Sequence, residues 1–417
     1  SGTFTLNASN DVDTLAGGSG VTPLGGLSFT DADGVTIGQV NPTGITSDGD
    51  VAITAATITV DEDITTNGAD VTLQATGGIT HNADIAVASN GGNITYQVTD
   101  APATSAVLIY GDIDASATGS GGNVSISGAF ASSATTDEDP ARAISGDTVS
   151  IKTDGTGTIS INGDATNSGN TSKTAWGLQF TSLTLQSDSG AINVTGTGGA
   201  KSSNSRGMAV EGQTLKVLSQ SGPITITDNE PAGLTGSYGG LYLLPASSGA
   251  IVFGSDGSTV PTSSSNVKIQ ADKASFLTRD TDVTTSGTVT VEPVSASFDT
   301  AQTFQNANVS SSATGLTLGK VGNAAGLTLS ATTSISGDVN IYAGDLAIDA
   351  EVTATGANDV VLNASGSVTQ PAAITAPGLA LTGSGTFTLQ NAGNDVDTLA
   401  GGSGVTPLGG LSFTDAD

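Results

Sequence analysis

The chain has 417 residues, of which 39 are acidic and 10 basic, so its formal net charge is −29. Charged residues make up only 12% of the sequence, against about 25% in a typical soluble domain, and cysteine is missing. This composition excludes disulfides, thiolate metal sites and cysteine nucleophiles, and the acidic excess argues against nucleic-acid binding, which depends on neutralising phosphates.

The first element is a segment that returns at the other end of the chain. Asp11–Asp33 reads DVDTLAGGSGVTPLGGLSFTDAD, and Asp395–Asp417 reads the same 23 residues. Just upstream, SGTFTL at Ser1–Leu6 recurs at Ser384–Leu389, and the later copy has one additional residue between the two matching stretches. Identity over such a length indicates duplication of a long unit.

This duplication predicts the domain organisation. We expect residues 1–383 to be one long repeat period of a continuous β-solenoid, and residues 384–417 to be the start of the next copy, repeating residues 1–33. A chain that starts and stops inside a repeat is typical of a segment from a longer tandem array. The expected partners are therefore neighbouring repeat units, or copies of the chain placed end to end.

Two D-x-D pairs in the first copy are the metal candidates. Calcium prefers carboxylate and carbonyl oxygens, and Asp11, Asp13, Asp31 and Asp33 supply carboxylates at this spacing. The run DADG that starts at Asp31 resembles the beginning of a calcium loop, but Pro42 stands where a twelve-residue loop needs Glu. We predict no cofactor apart from calcium at these four residues.

A shorter rhythm comes next, in which pairs of apolar residues alternate with polar ones and are flanked by Gly, Asn, Asp or Ser. The first pairs are Val51/Ile53, Val71/Leu73 and Ile94/Tyr96. Ile64 and Ile85 mark a second row between them. Short strands that repeat about every 20 residues are typical of a parallel β-helix. We predict an all-β β-solenoid, an elongated rod of stacked coils of about 20–25 residues.

The middle of the chain departs from this rhythm. Its matching pairs lie 32 residues apart and are Leu183/Leu185 and Leu215/Val217. Residues 131–144 and 199–210 are polar and weakly patterned, so they are predicted to be loops that project from the rod. Trp176, the one tryptophan, is expected to be a core residue beneath these loops.

Beyond Val289 the apolar pairs return at tighter and less regular intervals. They are Val289/Val291, Leu316/Leu318, Leu327/Leu329, Val339/Ile341, Val360/Leu362, Leu379/Leu381 and Phe387/Leu389. We expect them to continue the same stack of strands up to the second copy.

Parallel β-helices also include polysaccharide lyases and hydrolases, so a glycan-active enzyme is the alternative. A lyase needs cations to neutralise an acidic sugar, yet all ten Lys and Arg lie between Arg142 and Lys320. His81 is the one histidine and is expected at a coil corner. The acidic runs Asp61–Asp63 and Asp137–Asp139 offer paired carboxylates, but their turn-like context favours solvation. We predict no catalytic residue and no enzyme.

Three stretches carry a resemblance to a known family. Gly366–Gly402 reads GSVTQPAAITAPGLALTGSGTFTLQNAGNDVDTLAGG, and Gly410–Asp417 reads GLSFTDAD. Gly34–Thr80 reads GVTIGQVNPTGITSDGDVAITAATITVDEDITTNGADVTLQATGGIT. They resemble the β-strand repeats of filamentous haemagglutinin-like exoproteins, very large bacterial surface adhesins. The resemblance implies a right-handed parallel β-helix, exported through an outer-membrane partner, that serves in adhesion, aggregation or fibre formation.

The expected function is that of a non-catalytic structural or adhesive repeat unit in a long extracellular fibre. We expect a secreted protein at the bacterial cell surface, whose partner is a surface or a glycan receptor that the sequence does not identify. No apolar run approaches the ~18 residues of a membrane-spanning helix, so no membrane-spanning segment is predicted.

Overall fold

In the computed structural model of the chain every regular element is a β-strand. The described residues are 2–101, 105–130, 141–167, 174–199, 205–230, 241–245, 249–274, 281–305 and 307–416. None of them is helical, and this part of the chain contains no helix long and apolar enough to cross a membrane. The predicted all-β class is therefore confirmed.

The described chain folds into two compact units, and the repeat period expected from the duplication stays a prediction. The first unit is Ser1–Gly222 with Asp228–Gly249, and the second is Pro223–Thr227 with Ala250–Asp417. Each unit is built from parallel strands, as the recurrence of short strands about every 20 residues predicts.

The strands of the first unit are β1 (Thr3–Asn10), β2 (Thr14–Leu15), β3 (Gly26–Asp31), β4 (Gly34–Ile37), β5 (Ile45–Ser47), β6 (Val51–Val60), β7 (Ile64–Thr66), β8 (Val71–His81), β9 (Ala86–Ala88), β10 (Ile94–Ala101), β11 (Ser105–Ile109), β12 (Asp112–Asp114), β13 (Val124–Phe130), β14 (Ala141–Lys152), β15 (Ile159–Asp164), β16 (Ala175–Ser187), β17 (Ile192–Thr197), β18 (Arg206–Gly212) and β19 (Leu215–Ser219). β20 (Ile224–Asn229) contains the boundary between the two units, and β21 (Tyr242–Pro245) belongs to the first.

The strands of the second unit are β22 (Ile251–Gly254), β23 (Val267–Ala271), β24 (Thr281–Thr284), β25 (Thr288–Glu292), β26 (Gln302–Phe304), β27 (Ala307–Val309), β28 (Gly315–Leu318), β29 (Leu327–Leu329), β30 (Thr333–Ile335), β31 (Asp338–Ala343), β32 (Leu346–Ile348), β33 (Val352–Ala354), β34 (Asp359–Ala364), β35 (Ser367–Thr369), β36 (Ile374–Thr382), β37 (Thr386–Leu389), β38 (Asp395–Gly401) and β39 (Gly410–Phe413).

The apolar pairs of the first unit stack in register across β6, β8 and β10. Val51 lies opposite Val71, and Val71 lies opposite Ile94. The second members of the same pairs align two positions further on and are Ile53, Leu73 and Tyr96. All six are buried, because alternate side chains of a strand point to the same face. Each buried aliphatic side chain contributes about 1.5–3 kcal/mol.

The second row is shifted by two residues from the predicted one. Ile64 on β7 pairs with Val87 on β9, not with Ile85. Ile85 is half-buried and comes after a turn in which Asp84 has a φ of 61°. The turn after His81 therefore delays the next inward position, so the predicted place of Ile85 in this row is wrong.

The described C-terminal ends of both segments predicted to be projecting loops are β-strands. Residues 131–140 and 200–204 lie outside the described part of the chain. Ala141–Ile144 begins β14, and Arg206–Val210 belongs to β18, which pairs with β16. These polar sequences form strands because a long neighbouring strand supplies hydrogen-bond partners. Between them, Leu183 lies opposite Leu215, as the 32-residue spacing predicts.

Buried hydroxyls close corners of the first unit, a feature that apolar periodicity does not reveal. Ser47 Oγ donates to Gly49 O at 2.7 Å, and Ser187 Oγ donates at 3.0 Å to the carbonyls of both Gly157 and Gly190. Both Ser side chains are buried. A Cβ on Gly190 would lie 1.8 Å from Gly157 O, so the close approach of successive corners requires glycine.

The irregular spacing of apolar pairs in the second unit arises from two sheets. β25, β28, β31, β34 and β36 pair successively, and their first inward residues are Val289, Leu316, Val339, Val360 and Leu379. A separate six-stranded sheet contains β26, β29, β32, β35, β37 and β39 in that order. Leu327/Leu329 and Phe387/Leu389 belong to this second sheet. Chain order alternates between the sheets, so the intervals look uneven although both rows are regular.

Candidate functional site

The duplicated segment is described twice in the structure, as a first copy at residues 2–33 and a second copy at residues 385–416. Both copies contain the same tight turn, in which Gly18 and Gly402 have φ values of 73° and 70°. Glycine adopts this conformation at little cost. Each turn is closed by one backbone hydrogen bond, Ser19 N to Thr22 O at 3.1 Å and Ser403 N to Thr406 O at 3.0 Å. Identical sequence therefore builds the same local structure in both units.

The two copies differ in the strands on their N-terminal side. Phe4 and Leu6 on β1 are 50% and 47% exposed, whereas Phe387 and Leu389 on β37 are fully buried. β37 pairs with β35, which places Val368 opposite Phe387. Among the described strands β1 pairs with β3 alone. The strands before the second copy therefore supply a neighbour that the first copy does not have.

The two copies also differ in the strands on their C-terminal side. Leu27 and Phe29 on β3 are buried, because β6 pairs with β3 on the side away from β1. The counterparts on β39 are Leu411, which is 46% exposed, and Phe413, which is half-buried. β39 is the last strand of its sheet in the described chain.

Strand length in the duplicated segment depends on the neighbour. The sequence DVDTLAG forms the seven-residue β38 in the second copy, where it pairs along β36 with Leu399 opposite Leu379. In the first copy, only two of the same seven residues form a strand, β2, which pairs with β4. Tertiary pairing, not propensity, decides the extent of this strand.

Asn10 is a part-buried amide in the first copy. Its Nδ2 group donates to the carbonyl oxygens of Leu6, Ala8 and Thr30 at 2.7–2.8 Å. The bond to Thr30 ties the end of β1 to β3, and the other two lie within β1.

Asn394, the counterpart of Asn10, is fully buried in the second copy and has additional partners. Its Nδ2 donates to Thr414 O at 2.9 Å and to Leu389 O at 3.4 Å. Its Oδ1 accepts the backbone N–H of Ile374 at 3.0 Å and a bond from Gln370 Nε2. The apolar pattern of the sequence does not reveal this pair of amides. The retained Asn after the one-residue insertion in the second copy is the signal that could have pointed to it.

Asp31 and Asp33, two of the predicted calcium ligands, are engaged with neighbouring groups. Asp31 is buried, and its oxygens accept backbone N–H groups of Val12 and Asp33, both at 3.1 Å. Burial raises the pKa of Asp31, but these hydrogen bonds outweigh it and hold the pKa below its ordinary value. A hydrogen bond with the Asp31 side chain holds the pKa of Asp33 above its ordinary value.

Asp11 and Asp13, the other two candidates, are exposed. No group of three or more His, Cys, Asp or Glu side chains suited to a metal occurs among the described residues. Calcium binding at these four aspartates stays a prediction.

His81, at the end of β8, is buried and hydrogen-bonded at both ring nitrogens. Tyr96 donates its O–H to Nδ1 at 3.2 Å, and Nε2 donates to Ile85 O at 3.1 Å; the network assigns this tautomer. Burial lowers the pKa of His81 to about 4 despite the nearby Asp63, and burial raises the pKa of Tyr96. Neutral His81 therefore has a structural role inside the fold.

A buried cation lies where the sequence predicts a tryptophan core. Arg206 forms an ion pair with Glu211 at 2.8 Å. Its guanidinium carbon lies 3.6 Å from the ring centroid of Tyr242 and 4.9 Å from that of Trp176. Trp176 is buried, as predicted. The aromatic faces and the carboxylate stabilise the charge of Arg206.

Other described basic side chains are also engaged within their own unit. Three lysines form ion pairs with carboxylates. The N–O distance is 2.8 Å in Lys152–Asp114 and in Lys268–Glu292, and 3.8 Å in Lys273–Asp299. Lys320 Nζ donates to the carbonyls of Pro293 and Val294 at 2.9 and 3.0 Å. These contacts reduce the positive charge available to an acidic ligand.

The acidic runs considered for hydrolysis have structural contacts where they are described. Asp61 accepts a hydrogen bond from Asn82 Nδ2, and Asp63 accepts the backbone N–H of Ala86 at 2.8 Å. Both bonds join one coil corner to the next. Residues 137–139 lie outside the described part of the chain.

A concavity of about 550 Å³ indents the first unit beside this corner. Its lining includes Tyr110, which is 38% exposed, and the exposed carboxylates of Asp84, Asp112 and Asp147. The volume suits a small sugar, so this is the place where a glycan-active function is to be tested.

Comparison with known proteins adds no relative. No protein-family model matches the chain, and searches of curated proteins and of solved structures return no match. Function is therefore inferred from the geometry of the two copies.

Proposed function

We propose that the chain is a non-catalytic structural repeat segment of a right-handed parallel β-solenoid, an elongated rod of stacked coils of about 20–25 residues. Its role is to extend a secreted, extracellular fibre at the bacterial cell surface that mediates adhesion, aggregation or filament formation. One observation carries the proposal. The second copy of the duplicated segment rebuilds the turn of the first copy, and the apolar residues of its first strand, β37, are fully buried where it pairs with the preceding parallel strand β35.

The physical basis is stacking. Parallel strands leave unpaired backbone N–H and C=O groups at the edge of a stack, and the next coil satisfies them. Because residues 384–416 again present strands like those of residues 1–33, a following period can add coils in the same way. The acidic charge of −29 favours solubility of such a repeat.

Engaged basic residues support the absence of catalysis on acidic polymers. Arg206 and Lys152 pair with carboxylates, and the one histidine is buried and hydrogen-bonded. Recognition of a surface or glycan receptor is part of the proposed role.

Electron microscopy of the longer protein that contains this repeat tests the proposal. We expect thin rods whose length increases with the number of repeats. Compact globules would contradict a fibre role.

A glycan-active enzyme is the second candidate, favoured by the acidic concavity around Tyr110. The test is incubation with a panel of neutral and acidic polysaccharides, comparing the unchanged chain with Asp112→Asn, Asp147→Asn and a control, Asp349→Asn, remote in sequence from the concavity. We expect no cleavage by any protein. Cleavage that is lost in the first two variants and kept in the control would establish the enzyme.

A further inference from the structure

We propose that the concavity around Tyr110 binds an amino sugar whose amino group carries a positive charge. The inference rests on the proposed function, because recognition of a surface or glycan receptor is part of that role, and it names the class of sugar and the place where it binds. The amino-sugar site is defined by Tyr110, Asp84, Asp112 and Asp147, which line the same indentation of about 550 Å³ in the first unit.

Three successive coils build the amino-sugar site. Asp84 lies in the turn between β8 and β9, Tyr110 and Asp112 come from the corner between β11 and β12, and Asp147 lies within β14. β11 pairs with β8 and with β14, and β12 pairs with β9 and with β14. Stacking of the coils therefore brings together side chains that are far apart in the sequence.

Backbone contacts hold the corner that carries Tyr110. Tyr110 N donates to His81 O at 2.8 Å, and Asp112 N donates to Ile85 O at 3.1 Å. Gly111 between them is buried, and a Cβ at this position would clash with His81 Nε2 and with Ile85 O. The corner thus packs directly on the buried histidine, which reduces the conformational entropy that Tyr110 and Asp112 lose when a ligand binds.

Tyr110 supplies an aromatic surface to the site. Its side chain is 38% exposed, whereas Tyr96, the hydrogen-bond partner of His81, is fully buried. The face of a tyrosine ring packs against apolar C–H groups, and its negative potential attracts a cation. An amino sugar offers both features, because its ring has an apolar face and its ammonium group is charged.

The three carboxylates favour a cationic sugar over a neutral or an acidic one. Asp84, Asp112 and Asp147 are exposed, and no hydrogen bond or ion pair engages their side chains within the described chain. No lysine or arginine is among the described residues that line the concavity. An acidic sugar is therefore repelled, and an ammonium group gains charge-assisted hydrogen bonds.

The same carboxylates do not form a group suited to a metal ion in the described structure. A bare divalent cation needs several oxygens within its own coordination sphere, whereas an amino sugar carries its charge and its hydroxyl groups on one larger molecule. The volume of the concavity also suits a small organic ligand.

Isothermal titration calorimetry of the 417-residue chain with the β-1,4-linked trimer of glucosamine tests the inference. We expect saturable binding that weakens at high salt. The N-acetylated trimer, which has no positive charge, should bind at least about tenfold more weakly. Tyr110→Ala, Asp112→Asn and Asp147→Asn should each lower the affinity for the glucosamine trimer about fivefold to tenfold.

The net charge of −29 attracts any cation, so a matched control separates the site from this general attraction. Asp349→Asn removes one exposed carboxylate from the second unit and leaves the same net charge as Asp112→Asn. It should bind the glucosamine trimer like the unchanged chain. Spermidine, a linear cation without a sugar ring, should bind the unchanged chain and Tyr110→Ala equally.

Thermal unfolding midpoints equal to that of the unchanged chain show that a variant is folded, and the two Asp→Asn variants test the site independently of Tyr110→Ala. Absence of binding, equal affinity for the two trimers, or an equal loss in Asp349→Asn and Asp112→Asn would each overturn the inference. Rods of the longer protein in electron micrographs would still support the fibre role in that case. Binding of the glucosamine trimer without rods would contradict the fibre role alone.

Discussion

Asn394 and Asn10 occupy the same position in the repeat. Their contacts predict that they contribute different amounts to the free energy of unfolding. We expect Asn394→Ala to lower the free energy of unfolding by about 3 kcal/mol, since it leaves the buried Ile374 N–H and Thr414 carbonyl without their partner. Asn10→Ala should cost about 1 kcal/mol, because its site is partly open to water. Urea unfolding gives both values, and hydrogen exchange at the Ile374 amide reports the local effect. Equal losses would show that burial of the second copy has no energetic role.

Because the His81 side chain is buried, the stability of the fold is expected to depend on pH. The folded-state pKa is about 4 and the ordinary value is 6.5, so between these values the unfolded chain binds a proton that the folded chain does not. The contribution is present above pH 6.5 and is lost as the pH falls toward 4, by about 3 kcal/mol. Denaturant unfolding across this range measures it. His81→Gln should remove this component while the carboxylate contribution persists, and an unchanged pH dependence in the variant would contradict the assignment.

At the scale of the strand, inward and outward positions of β34 should respond differently to truncation. Leu362 is buried between Ile341 and Leu381, whereas the adjacent Val361 faces the other way and is half-buried. Leu362→Ala should destabilise the protein by about 2–5 kcal/mol through the cavity it leaves. Val361→Ala should cost less than about 1 kcal/mol. Urea midpoints compare the two, and similar losses would contradict the alternating burial.

The strands illustrate what a sequence can and cannot predict. Alternation at Val51/Ile53 and Val71/Leu73 predicts burial and register, because period two is a local property of the chain. The exchange of Ile85 for Val87 was not predictable, since a turn moved the inward position. The buried amides of Gln370 and Asn394 were missed for another reason. Their role depends on a neighbour that only tertiary packing supplies.

At the scale of the whole chain, the duplicated segment relates sequence repetition to assembly. Identical sequence gives the same turn in both copies. The exposure of the flanking apolar side chains differs because the neighbouring strands differ. All ten basic residues lie between Arg142 and Lys320, so the middle of the period is the part that contains side chains of both charges. The duplicated ends contain no Lys or Arg and are suited to repetition.

The second copy is proposed to provide the strands on which a further period stacks. Hydrogen exchange of a tandem chain, in which residues 34–417 are joined after Asp417, tests it most directly. Amides of residues 410–413 should become as protected as those of residues 26–29, because a strand equivalent to β6 then pairs with β39. Protection that stays at the level of the single chain would contradict the repeat-by-stacking account.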